Sequence, residues 1–137
     1  MKADNLQRAV YGVLNADATL SGLVVGVYAD VADAHDGEDE SLFPYVTLGP
    51  ETALPWDTHT NLGAAALVQV DIWSRQNDYV EAKNIATVIH GLLHYQSLTI
   101  TGASHVMTTL ESTAYMLDPD GKTHHGAMTF RVVYDDI

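Results

Sequence analysis

The chain has 137 residues, enough for one hydrophobic core and too few for two stable ones. Six basic side chains against eighteen acidic ones leave a formal net charge of −12. That balance argues against a domain that grips nucleic acid through its phosphates or settles on anionic lipid. Cysteine is absent, which excludes disulfides, thiolate catalysis and zinc–thiolate sites.

The apolar stretches fall short of the roughly 20 residues that a membrane-spanning helix needs. The start, Met1-Lys2-Ala3-Asp4-Asn5, has no signal peptide's apolar block, so synthesis in the cytoplasm is expected. The first segment predicts a helix with Asp4 as N-cap, because Leu6, Ala9, Val10, Val13 and Leu14 recur at helical spacing. Asn15-Ala16-Asp17 breaks it. Leu20, Leu23 and Val24 then predict a short turn ending at Gly26, and Val27-Tyr28 begins a strand.

Residues 30–42 hold Asp30, Asp33, Asp36, Glu38, Asp39 and Glu40 without a Lys or Arg, and predict a mobile surface loop. Its spacing departs from a calcium-binding EF-hand register. Pro44–Leu48 predicts a strand closed by Gly49-Pro50. A second mobile loop, residues 53–63, carries Pro55, Trp56 and His59. Trp56 is the best candidate for an exposed interface anchor, since aromatic anchors dominate interface energy, with folding back onto its own domain as the equal alternative. Ala64–Trp73 is the clearest strand, with Ala66, Val68, Val70 and Ile72 on one face and Gln69 and Asp71 on the other. Trp73 ends it on the more polar face, placed to cover the sheet or a subunit contact.

Residues 77–95 predict the main helix, with Ala82, Ile85, Ala86, Ile89, Leu92 and Leu93 as its core stripe and Asp78 and Glu81 in its first turn. A closing hairpin follows, His105–Leu117 and Thr123–Tyr134, around a type I turn at Asp118-Pro119-Asp120-Gly121. The fold class is therefore α+β: a mainly antiparallel sheet packed by one long helix and an N-terminal helix, in a single domain over 1–137.

Local chemistry is weak. His90 and His94 lie one helical turn apart, but Gly91 stands where a zinc hydrolase of that motif needs its glutamate base. His124 and His125 are strand neighbours that point to opposite faces. Gly121-Lys122-Thr123 imitates a phosphate-loop ending, but Met116 replaces the first glycine and the context is a hairpin. No G-x-S-x-G elbow occurs. These observations point to no catalytic residue, no metal and no cofactor, and a surface role for Asp36, Glu38, Asp39, Glu40, Trp56, His59 and Trp73.

Three stretches together resemble one family. Leu42-Phe43-Pro44-Tyr45-Val46-Thr47-Leu48-Gly49 is similar to the P-Y-V-x-L-G strand of small phage tail-completion (tail-terminator) proteins. Val70–Arg75 followed by Glu81-Ala82 and Ile89–His94 resembles their strand–helix core, and Asp118–Gly126 with Phe130-Arg131 their closing hairpin. The resemblance implies a structural virion protein, not an enzyme, located in the tail or neck and assembled in the host cytoplasm. It implies a ring, usually a hexamer, that caps the head-proximal end of the tail tube, ends its polymerisation and joins tail to head. Its partners would be copies of itself, the major tube protein and a head-completion protein, with DNA passing unbound through the channel and no membrane. The competing readings are another neck component, such as a head-closure protein, and a small histidine-metal hydrolase or ligand-binding domain. A DNA-binding regulator conflicts with the charge.

Overall fold

The computed structural model describes residues 3–29, 40–55, 63–76 and 78–136. Helix α1 spans Ala3–Ala16 and α2 spans Ala18–Ser21. Asp4 lies inside the first turn of α1 and does not precede it, so it is not the N-cap expected from sequence. The break after α1 falls where Asp17 supplies a better local bond: its Oδ2 accepts from Leu20 N at 2.9 Å and caps α2.

Strand β1, Gly26–Tyr28, is short. A 3-10 turn at Glu40–Leu42 occupies the end of the predicted acidic loop; the remainder of that loop lies outside the described residues. The Phe43–Pro44 peptide is cis. Strand β2 runs Tyr45–Pro55, β3 Gly63–Ser74, β4 Ala103–Leu117 and β5 His124–Asp136. The expected stop at Gly49-Pro50 is a bulge. Leu48 pairs with Val70 and Glu51 with Val68, so Gly49 and Pro50 together face Gln69. A bulge tolerates proline because it takes one residue out of the ladder, and the strand then continues. The second predicted loop therefore starts later than residue 53, and residues 56–62 lie outside the described residues.

The sheet order is β1-β2-β3-β5-β4. β1 joins β2 in parallel and the other three pairings are antiparallel, which makes the sheet mixed. The helix α3 spans Val80–Leu93, shorter at both ends than its apolar pattern suggested and no longer than α1, so the sheet is packed by two helices of equal length and not by one long one. Asp78 stays outside it, and its Oδ1 accepts from Val80 N at 3.0 Å. The far end closes at His94 and turns on Tyr95, whose φ of 58° is left-handed.

One face of the sheet holds the core. Ala66, Val68, Val70 and Ile72 from β3 meet Met128, Phe130 and Val132 from β5 under Leu6, Val10 and Leu14 of α1 and Ala82, Ile85, Ile89 and Leu93 of α3, all buried. Leu92, expected in that stripe, is only half-buried. Full burial of Ile85, Ile89 and Leu93 contributes about 1.5–3 kcal/mol each. Ser74, buried at the end of β3, donates to Glu81 Oε1 at 2.7 Å and fixes the start of α3 over the sheet.

Candidate assembly surface

Side chains alternate across a strand, so the residues between the core positions form a second face. The helices with core contacts lie on the other side. The register places Tyr45, Trp73, His125 and Met116 in one cross-strand row on this second face. Trp73 lies flat on the His125 ring, with centroids 4.0 Å apart and planes 7° apart. On its other side it stacks on Tyr45 at 6.1 Å, and Tyr45 in turn meets the Tyr28 ring edge-on at 6.1 Å. The indole Nε1–H donates to Thr47 Oγ1 at 3.0 Å. Trp73 thus covers the sheet, one of the two roles read for it from sequence.

Beneath this aromatic row sits a carboxylate that the alternation alone would send to water. Asp71 is buried. Its Oδ1 accepts from His125 Nε2 and from Gln69 Nε2, each at 2.7 Å. A carboxylate can only accept, which places the His125 proton on Nε2. Gly49 makes room: a β-carbon there would collide with Asp71 Oδ2 and come within 3.2 Å of the Gln69 β-carbon. The bulge and the buried carboxylate are therefore one device. Beside it a cleft of about 390 Å³ opens, lined by Gln7, Leu48, Glu51, Val68 and Asp71 among others. Burial raises the Glu51 carboxyl pKa.

The row is tied to the hairpin turn through Arg75. Its guanidinium lies 4.4 Å from the Phe43 ring centre, its Nε donates to Thr123 Oγ1 at 2.8 Å, and it approaches Asp120 Oδ2 at 3.7 Å. Asp120 accepts from Lys122 N, Thr123 N and Thr123 Oγ1, which lowers its pKa to about 2. Gly121 donates to Asp118 O at 2.9 Å and has φ 72°, closing the type I turn read from sequence. Burial first, and the nearby Asp118 carboxylate second, raise the Tyr45 phenol to about 12 against the opposing pull of Arg75. The Asp118 carboxyl is itself raised by burial, against the pull of His125.

The histidine pairs behave differently. His90 and His94 stack at 4.6 Å, and His94 Nδ1 accepts from Leu110 N at 3.0 Å, so that nitrogen is committed to the backbone of β4. His124 and His125 do separate to opposite faces, His124 meeting Tyr79 edge-on at 4.7 Å on the helix side. Among the described residues, no group of three or more histidine, aspartate or glutamate side chains is placed to hold a metal ion. No helix among them is long and apolar enough to cross a membrane.

Of the surface residues read from sequence, Trp73 joins the row. Glu40 opens the 3-10 turn, and Asp36, Glu38, Asp39, Trp56 and His59 lie outside the described residues. Sequence reasoning missed Asp71, Gln69, Gly49 and His125 as a group. The available signal was a charged residue two positions before a strand-ending tryptophan.

The chain is thus a small α+β module whose sheet is packed by helices on one side and carries an aromatic row on the other. The sequence profile of the family "Tail completion protein gp17" matches residues 8–135, and the chain belongs to that family. It is similar to the tail completion protein gp17 of Bacillus phage SPP1, 27% identical over 95 residues that make up 69% of each chain. Its fold matches the solved structure of bacteriophage SPP1 gp17 protein with a TM-score of 0.64 and 25% identity, over 95% of this chain and 88% of that one. It also matches a chain in the virion of a native gene transfer agent particle, with a TM-score of 0.87 and 24% identity over 98% and 97% of the two chains. The chain is a structural component of a phage-type tail.

Proposed function

We propose that this chain forms a ring, a hexamer, at the head-proximal end of a tail tube, where it ends tube polymerisation and joins tail to head. The reading is carried by membership of a tail-completion family across almost the whole chain, in a molecule that keeps one sheet face clear of its core helices. Its work is contact and not turnover of a substrate. The partners are further copies, the tube protein below and a head-completion protein above. Asp36, Glu38, Asp39, Glu40, Trp56 and His59 supply contacts to these neighbours, and Trp73 holds the surface they meet.

Charge fits passage of DNA. A hexamer would multiply the −12 of one chain sixfold around a channel, and duplex DNA carries about one negative charge per 1.7 Å. A basic lining would hold DNA; a neutral or acidic one lets it slide. Much of the acidity therefore faces the channel or its rims, and a Lys/Arg-lined lumen in an assembled ring would contradict this. Deleting the chain from the producing element tests the main reading. The expected lysate holds overlong tails detached from full heads. Tails of normal length beside leaking heads would assign the chain to head closure instead.

A further inference from the structure

We infer that copies of this chain join edge to edge, the outer side of β4 in one copy docking on the β1 side of the next; the inference rests on the ring reading above. The two outer edges of the sheet share three properties.

First, both carry exposed apolar side chains. Met116 is 40% and Leu117 50% exposed at the end of β4, while Leu23 is 40% and Val25 51% exposed just before β1. Second, the two apolar patches are free of charge in a chain of net charge −12, although β4 holds Glu111 just before its patch. Residues 112–117 read Ser-Thr-Ala-Tyr-Met-Leu, and residues 18–29 contain no Asp, Glu, Lys or Arg. Copies that repel elsewhere can approach here. Third, the patches lie at opposite ends of the same cross-strand rows. Gly26 pairs with Tyr45, Tyr45 with Trp73, Trp73 with His125 and His125 with Met116. Four strand spacings separate the edges by roughly 20 Å, so the patches cannot meet within one molecule.

Among the described residues, the β4 edge is also chemically open at this end. Its middle is covered by the turn after α3: Tyr95 N donates to Thr108 O at 2.8 Å, and Leu110 N to His94 Nδ1 at 3.0 Å. Beyond the bulge between Leu110 and Ser112, Asp118 N donates inward to Thr123 O at 2.8 Å. Alternation then turns the main-chain groups of Thr113, Tyr115 and Leu117 away from β5. No proline, lysine or other charge blunts residues 112–117, the usual protection of an edge. By the sheet order β4 runs antiparallel to β1, so the neighbour's residues 25–28 meet residues 113–117 as an antiparallel extension. The contact joins two different patches, the heterologous kind that generates a cyclic ring when its rotation closes.

The absence of cysteine gives a clean test. Val25→Cys, Leu117→Cys and the double variant are expressed with the remaining particle genes, and purified particles are oxidised and run on denaturing gels. The double variant should give a ladder at multiples of 14.9 kDa, and each single variant none. A control pairing Val25→Cys with Val80→Cys, exposed at the start of α3, should give no ladder. Dimers from Leu117→Cys alone would mean a two-fold β4–β4 contact and overturn the proposal. Particles holding the chain as a ring, yet giving no ladder, would overturn the edge contact and leave the ring reading standing. Particles holding a single copy would overturn both.

Discussion

Replacing Asp71 by alanine removes a carboxylate that accepts two hydrogen bonds at 2.7 Å beneath the Trp73 ring. A bond to a charged group contributes about 1.5–3 kcal/mol net. Gln69 is only half-buried and can turn to water, so much of its share is recovered. His125 cannot follow, since its side chain is 14% exposed and clamped under Trp73. Its Nε2–H is left unpaired, and the expected loss is about 2–4 kcal/mol. In urea, with a slope of about 1–3 kcal/mol/M for a small domain, the unfolding midpoint should fall by about 1–2 M at neutral pH with the slope unchanged. Adding His125→Ala should cost much less in the Asp71→Ala background than alone, with a coupling of at least about 1 kcal/mol. Two losses that simply add, or an Asp71→Ala midpoint within error of the parent, would refute the buried acceptor as the anchor of this face.

Other outcomes follow from neighbouring contacts. Gly49→Ala should destabilise by about 1–3 kcal/mol, because its methyl group meets Asp71 Oδ2, which His125 and Gln69 hold in place; thermal unfolding reads this directly. His94→Ala should cost about 1–3 kcal/mol by leaving the Leu110 N–H without its acceptor, whereas His90→Ala, at an exposed position, should stay within about 0.5 kcal/mol. The folded Asp120 pKa is depressed from 3.8 to about 2, so its contribution is complete above 3.8 and is lost as pH falls through about 2. Proton exchange of the Lys122 and Thr123 amides should accelerate over that window relative to other turn amides, and Asp120→Asn should abolish the step.

The parts of the fold readable from sequence are those fixed by local pattern. Ala66, Val68, Val70 and Ile72 alternate cleanly and are all buried. Pro119 and Gly121 sit where a type I turn wants them, and the turn forms. The missing parts depend on partners distant in the chain. Gly49-Pro50 reads as a stop because nothing local reveals that Gln69 will face both residues across a bulge. Asp71 reads only as a residue of the polar face because its burial is decided by His125, fifty-four positions away, and by the space at Gly49. The α3 stripe correctly identified a core helix but overran its ends, since Asp78 bonds to Val80 N from outside and Tyr95 turns left-handed at the far side. Of the surface residues singled out from sequence, Trp73 alone has a described environment, and it reaches the row through strand periodicity plus its terminal position.

The most direct measurement is a cryo-EM reconstruction of the head–tail junction in particles that carry this chain. The account predicts a single closed ring of it, coaxial with the tube and lying between the last tube layer and the neck, with a lumen free of clustered Lys and Arg. Density for the chain at the distal tip, along the tube wall, or in no closed ring at all would contradict it.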